Sequence, residues 1–171
     1  ALQQRNRQLT LLNRASQLFS STLNLDQVLE TVLTEIHSLM NVLAASFWLC
    51  NPDTEELICR QATGPGHDQV IGWRLPVGQG LTGWVAKYGE PLLVPDTRAD
   101  NRHFKGVDQQ INLEIRSILS IPLKVQDTVI GVLNLADTAV NRLPAEYLTN
   151  LDPLMKSAVF AIENALLHTQ V

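Results

Sequence analysis

Cysteine occurs only twice in this sequence, at Cys50 and Cys59, and two thiols make neither a disulfide framework nor a metal-ligand set. No run of 18 apolar residues is present, so no segment reads as a membrane span, and the opening ALQQRNRQL lacks the apolar stretch of a signal peptide. An excess of charge is missing too. Thirteen Lys and Arg stand against seventeen Asp and Glu, a net charge of -4, and the basic residues are scattered rather than gathered in a stripe. That pattern argues against a nucleic-acid partner. No Ser/His/Asp or Cys/His constellation can be assembled, so no catalytic residue is assigned and the chain does not read as an enzyme. A reducing cytoplasm is the simplest location. The missing initiator Met suggests a piece of something longer.

What is present is an ordinary globular composition. Apolar residues make up 45% and charged residues 18% of 171, enough for one domain with a sizeable core and too little for a Rossmann domain plus a substrate domain. Leu2, Leu9, Leu12 and Phe19 share one side of a first helix, with Leu11, Ala15 and Leu18 in a neighbouring stripe. Asn24 and Gln27 resemble a capping box opening a second helix over about residues 25–41. The period then changes. Residues 45–50 and 57–62 flank Asn51-Pro52-Asp53-Thr54 as a hairpin in which Trp48 faces Cys59, leaving the cysteines diagonal neighbours, about 7–8 Å apart, and unsuited to a disulfide. Val70 to Leu75 suggests a third strand, residues 81–88 a short helix ended by Gly89, and residues 91–95 a brief strand between prolines. A polar loop spans 96–114. Ile115–Val125 and Thr128–Ala136 form a second hairpin, and a helix runs from about Pro144 to His168 with Pro153 kinking it or marking where its regular part begins. Helices packed on an antiparallel sheet, an α+β fold, is the expected architecture.

The stretch Val77-Gly78-Gln79-Gly80-Leu81-Thr82-Gly83-Trp84-Val85 has the GxGxxG spacing of dinucleotide sites. Such a site also needs a buried strand before the glycines and a full crossover helix after them. Here the preceding strand is short, Pro76 interrupts it, and the helix ends after about two turns. The glycines therefore read as a turn that starts a short helix, with Gly83 no more than a weak helix residue and Trp84 on the apolar side.

GQGLTGWVAKYGEPLLVPD, then IRSILSIPLKVQDTVIGVLNL, then an amphipathic helix ending AIENALL, resemble the GAF domain, a small-molecule sensing module of signalling proteins, here of the bacterial sensor type. The resemblance covers about residues 24–168, with residues 1–23 as a signalling and dimerisation helix. It implies an antiparallel sheet of about six strands, terminal helices on one face, and on the other a ligand pocket roofed by the short helix and the long loop.

Set against branches of that family, several cofactors are disfavoured. Bilin-binding members carry a Cys where Lys105 stands, counting back from Arg116. The cyclic-nucleotide signature is met only at Asn141-Arg142, and fails at Leu143 and Tyr147-Leu148. Methionine sulfoxide reductases need several cysteines near the pocket. Haem would hang on His103 alone. No cofactor or metal is predicted, and an unknown small ligand remains.

Strand alternation puts Leu119, Ile121 and Leu123 under the helices and, by elimination, Ile118 and Ser120 toward the pocket. The family resemblance points Val132 and Asn134 the same way. Asn134 reads more readily as hydrogen-bonded to the neighbouring loop than to a ligand. Trp48, Trp73, Leu81, Val85, Val94 and Phe104 could supply an apolar wall, each equally readable as core, and Asp96 and His103 complete the candidate ligand-binding set. Asp96 and Asp100 are equally well explained by turn chemistry. The two stripes on each terminal helix suggest a homodimer through Leu9, Leu12, Phe19, Leu154 and Ala161, relaying a signal to an attached output domain. A ligand-free relay with a filled pocket is the alternative.

Overall fold

The computed structural model of the protein describes residues 25–102 and 113–169, with side chains to residue 165. The residues assigned to the first helix, the Asn24 cap, His103 and Phe104 lie outside that range.

Two hairpins and two helices make the frame. Helix α1 (Leu25–Leu39) buries Val28, Leu29, Val32, Leu33 and Ile36, a stripe at helical spacing. Strands β1 (Ala44–Asn51) and β2 (Glu56–Thr63) then pair in the expected register, Asn51 opposite Glu56 and Trp48 opposite Cys59. Asp53 N–H bonds the Asn51 side chain at 3.0 Å, which fixes the turn. Both cysteines are free.

The expected strand over Val70–Leu75 is displaced. Val70 instead closes a one-turn helix α2 (His67–Val70), and β3 is Arg74–Pro76. Gly72, at φ 90°, makes the break that a Val/Ile-rich reading overlooks, and its N–H reaches the Cys59 carbonyl at 2.8 Å. Helix α3 (Gly80–Tyr88) ends, as read, on Gly89, whose φ of 70° is the left-handed cap. Strand β4 (Leu92–Val94) lies between its prolines, followed by a 3₁₀ turn at Thr97–Ala99. Strands β5 (Ser117–Val125) and β6 (Thr128–Asp137) form the second hairpin around Gln126, which takes φ 56°. The C-terminal helical region is α4 (Tyr147–Asn150) and then α5 (Asp152–Thr169). Pro153 thus sits in the first turn of α5, where its missing N–H costs nothing.

The six strands form one antiparallel sheet in the order β3-β2-β1-β6-β5-β4. On one face, α1 and α5 cover Phe47, Leu119, Leu123, Leu133 and Leu135, all fully buried. On the other, α3 and the 64–75 segment cover Trp48, Leu57, Cys59 and Val132, beside a smaller group of Leu81, Val94, Ile115 and Ile118. Leu154 and Ala161 of α5, each 2% exposed, belong to the protomer's own core. They therefore present no surface to a second chain, contrary to the sequence expectation, because the wider apolar stripe of α5 is consumed by the sheet and α1. The large apolar side chain that α5 does expose among the described residues is Phe160, at 52%.

Candidate ligand-binding site

A polar row crosses the face of the sheet opposite α1 and α5. Ser46 on β1 stands opposite Asn134 on β6, and Asn134 stands opposite Ser120 on β5. Direct cross-strand partners point the same way, so three polar side chains share a face otherwise built of Trp48, Val132 and Ile118. The hydrogen bonds follow from that placement. Ser120 Oγ donates to Asn134 Oδ1, and Asn134 Nδ2 donates to Thr82 Oγ1 on α3. Trp48 Nε1 donates to Ser46 Oγ at 2.9 Å. The centre of the sheet is thereby tied to the helix above it, and the partner that the sequence reading gave Asn134 is a helix residue rather than a loop.

Beside this row lies a cavity of about 100 Å³. Its sheet wall is made of small side chains at one end of three adjacent strands, Ala44 opposite Ala136 and Ser46 opposite Ala62, while the neighbouring pair Ala45 and Thr63 turns its side chains to the α1 face. Alanine is a poor strand residue, and three of them, Ala44, Ala62 and Ala136, where Val or Ile would fill the space leave a void. Its mouth is bounded by Pro65, His67 and Val70, and its roof by Gly80, Leu81 and Thr82.

Of the candidate residues, Trp48, Leu81, Ile118 and Asn134 line the cavity. Ser120 lies behind Asn134, buried and bonded to it. Trp73 and Val85 pack in the group around Trp48, and Val94 in the group around Ile118, so all three are wall-supporting core rather than lining. Asp96 is also outside. It accepts from Arg98 N–H at 3.0 Å and pairs with Arg116 at 3.0 Å, which holds its carboxyl below the usual carboxylate range. Asp100 makes the same local turn, accepting from Arg102 N–H at 2.9 Å. Both aspartates are thus turn residues. The reading missed the alanines, whose only sequence signal was small residues recurring at strand positions.

Polar groups at the mouth are occupied by their own neighbours. His67 Nδ1 lies 3.1 Å from the Gly64 carbonyl and its Nε2 lies 3.0 Å from Asp68. Thr63 Oγ1 bonds His37 Nε2 from α1 and the Ala45 carbonyl. The polar loop is stapled where it leaves and returns, by Arg98 with Glu114 at 2.7 Å and Asp96 with Arg116. Arg102 lies 4.8 Å from the Trp84 ring centroid, a cation–π contact that ties the loop to α3.

The third glycine of the GxGxxG stretch is not merely a weak helix residue. A Cβ on Gly83 would stand 2.9 Å from the Gly78 nitrogen and 2.9 Å from the Pro76 carbonyl oxygen, both backbone atoms that cannot yield. Gly78 N–H donates to the Gly83 carbonyl at 2.9 Å, so α3 grips its own leading turn. Trp84 is half-buried.

Neither thiol is poised for chemistry. Burial pushes Cys50 up to about 11, and burial, opposed by a backbone hydrogen bond at Gln61, pushes Cys59 up to about 12. Thiolate, the nucleophilic form, is therefore scarce near neutral pH. Among the described residues no group of His, Cys, Asp and Glu could hold a metal ion.

Comparison with known proteins agrees with this architecture. The sequence model of the GAF domain matches residues 22–163. The Nif-specific regulatory protein of Azospirillum lipoferum is 25% identical over 132 residues, 76% of this chain and 21% of that protein. The chain spans about a fifth of the length of the curated relatives it matches. The GAF domain from a phosphoenolpyruvate-protein phosphotransferase of Coxiella burnetii superposes with a TM-score of 0.81 at 21% identity, covering 96% of this chain and 97% of that one. The free methionine-R-sulfoxide reductase of Neisseria meningitidis, in complex with its substrate, superposes with a TM-score of 0.75 at 20% identity, covering 92% and 89%.

Proposed function

Because the chain belongs to the GAF domain family, we propose that it is the sensory domain of a longer, cytoplasmic signal-transduction protein. A small molecule enters the cavity under α3, and its occupancy passes through the terminal helices to an attached output domain. The observation that carries this reading is the alanine-lined cavity. Interiors pack densely, and filling such a void with Val would ordinarily stabilise a fold, so three alanines around one space are better explained by an occupant than by the fold.

The second reading, a ligand-free relay, draws on two observations. The cavity is smaller than the roughly 300 Å³ or more of ordinary ligand pockets, and Asn134 is bonded within the protein. The same size argues against a cyclic nucleotide, haem or bilin. Native mass spectrometry of the purified protein and Ala62→Val in the full-length protein separate the two readings. Retained mass and an output locked by the substitution support sensing. An output indifferent to cavity filling supports the relay.

The reading is non-catalytic and supported by the inert thiols. It includes a homodimer through the first and last helices, with Phe160 taking the place first given to Leu154 and Ala161. No described helix is long and apolar enough to cross a membrane.

A further inference from the structure

The hydrogen bonds around the cavity leave three donors for an occupant. Ser46 Oγ accepts from Trp48 Nε1 and keeps its own O–H. Thr82 Oγ1 accepts from Asn134 and keeps its O–H as well. Asn134 spends its oxygen on Ser120 and one amide hydrogen on Thr82, leaving the second N–H. All three residues line the same cavity, and each brings one unspent donor to it.

Charge and size restrict the occupant further. No Lys, Arg, Asp or Glu is among the described lining residues, and the ring nitrogens of His67 already face Gly64 and Asp68. A carboxylate or phosphate placed here would be desolvated without a counter-charge, at a cost that excludes it. An apolar cavity of roughly 150 Å³ takes benzene, so one of about 100 Å³ takes about four or five non-hydrogen atoms.

We propose that the site selects a small uncharged molecule carrying a carbonyl-type acceptor oxygen, held by the donors of Ser46, Asn134 and Thr82 against the wall of alanines. This rests on the sensory reading above and adds the ligand's class to it. A charged metabolite is rejected by desolvation, and a hydrocarbon leaves the three donors unmet.

Titration of the ¹⁵N-labelled protein with three probes of one size tests this: acetone, an uncharged acceptor; acetate, its charged counterpart; and isobutene, the same shape without an acceptor. Acetone is expected to give saturable shifts at Ser46, Thr82 and the Asn134 side-chain amide, with a dissociation constant about millimolar, the range open to so few atoms. Acetate and isobutene are expected to bind at least fivefold more weakly. Ala136→Val, or Ala62→Val should the first fail to fold, is expected to weaken acetone binding at least tenfold. Absence of saturable acetone binding, equal binding of acetate or isobutene, or undiminished binding to a folded filled variant overturns the proposal. Failure with acetone while Ala62→Val still alters output removes the ligand class and leaves the sensory reading; acetone binding with an indifferent output does the reverse.

Discussion

A Cβ at Gly83 would meet the carbonyl oxygen of Pro76 at 2.9 Å, so the helix that roofs the cavity can approach its leading turn only because that position is glycine. Gly83→Ala is therefore expected to destabilise by about 3 kcal/mol, at the upper end for overpacking, since backbone rather than side chain must move. Trp84→Ala is expected to cost less than the roughly 3–5 kcal/mol of a fully buried aromatic, because Trp84 is half-buried. Chemical denaturation of the two variants checks the order. An alanine variant as stable as the parent would show that the turn can relax.

Periodicity made most of the frame legible. Helix stripes and strand alternation located α1, both hairpins and α3, and put Leu119 and Leu123 on the helix-covered face and Ile118 on the other. What failed to show was distance between backbones. Gly83 and Gly72 look alike in a sequence, yet one is fixed by a close approach and the other has nothing within 4 Å of its would-be Cβ. The cavity was hidden for the same reason. It is made by what alanine side chains leave vacant, while the large residues that drew attention, Trp73 and Val94, pack behind it.

Asn134→Leu is expected to cost about 2–3 kcal/mol. It strands the hydroxyl of Ser120, which is fully buried, and removes the link to Thr82. Adding Ser120→Ala to that variant is expected to restore part of the loss, since the stranded donor goes with it. Urea denaturation of the single and double variants measures both, and strict additivity would mean that the row is not coupled.

At pH 8, alkylation of the folded protein by iodoacetamide is expected to be about a hundredfold slower at Cys50 than at an ordinary thiol, and slower again at Cys59, from thiolate content alone. Unfolding in urea is expected to equalise the two. Because folding raises both values, the stability tied to these thiols is complete below the unfolded value and is lost as pH rises through the folded ones. Mass spectrometry of quenched time points reads the rates; rapid labelling of the native protein would contradict the buried placement.

Asp96 has its carboxyl held low by the Arg116 hydrogen bond and by Arg98 N–H. Its contribution is therefore present above the ordinary carboxylate value and is lost as pH falls through the lowered one. Asp96→Asn is expected to lower stability at neutral pH and to flatten the acid limb of the thermal-stability profile below about pH 4, where the two proteins converge. An unchanged acid limb would show that the pair with Arg116 is idle.

Phe160→Glu places a charge on the exposed side of α5 without touching the core. In the proposed dimer it is expected to shift sedimentation from dimer to monomer at least tenfold in dissociation constant. Monomer from the unsubstituted chain at high micromolar concentration would dismiss the dimer.

The central strands of the sheet come from opposite ends of the domain: Ala44 pairs with Ala136, and β1 lies against β6. Each hairpin can close by itself, but the sheet has no middle until residue 137 of β6 has been made. Pairings between such distant parts of a chain form slowly. During synthesis, β1 therefore waits with one edge open while everything between the hairpins leaves the ribosome. The same waiting edge is available to a neighbouring nascent chain, so a slowed or truncated synthesis is expected to yield aggregates rather than half a domain.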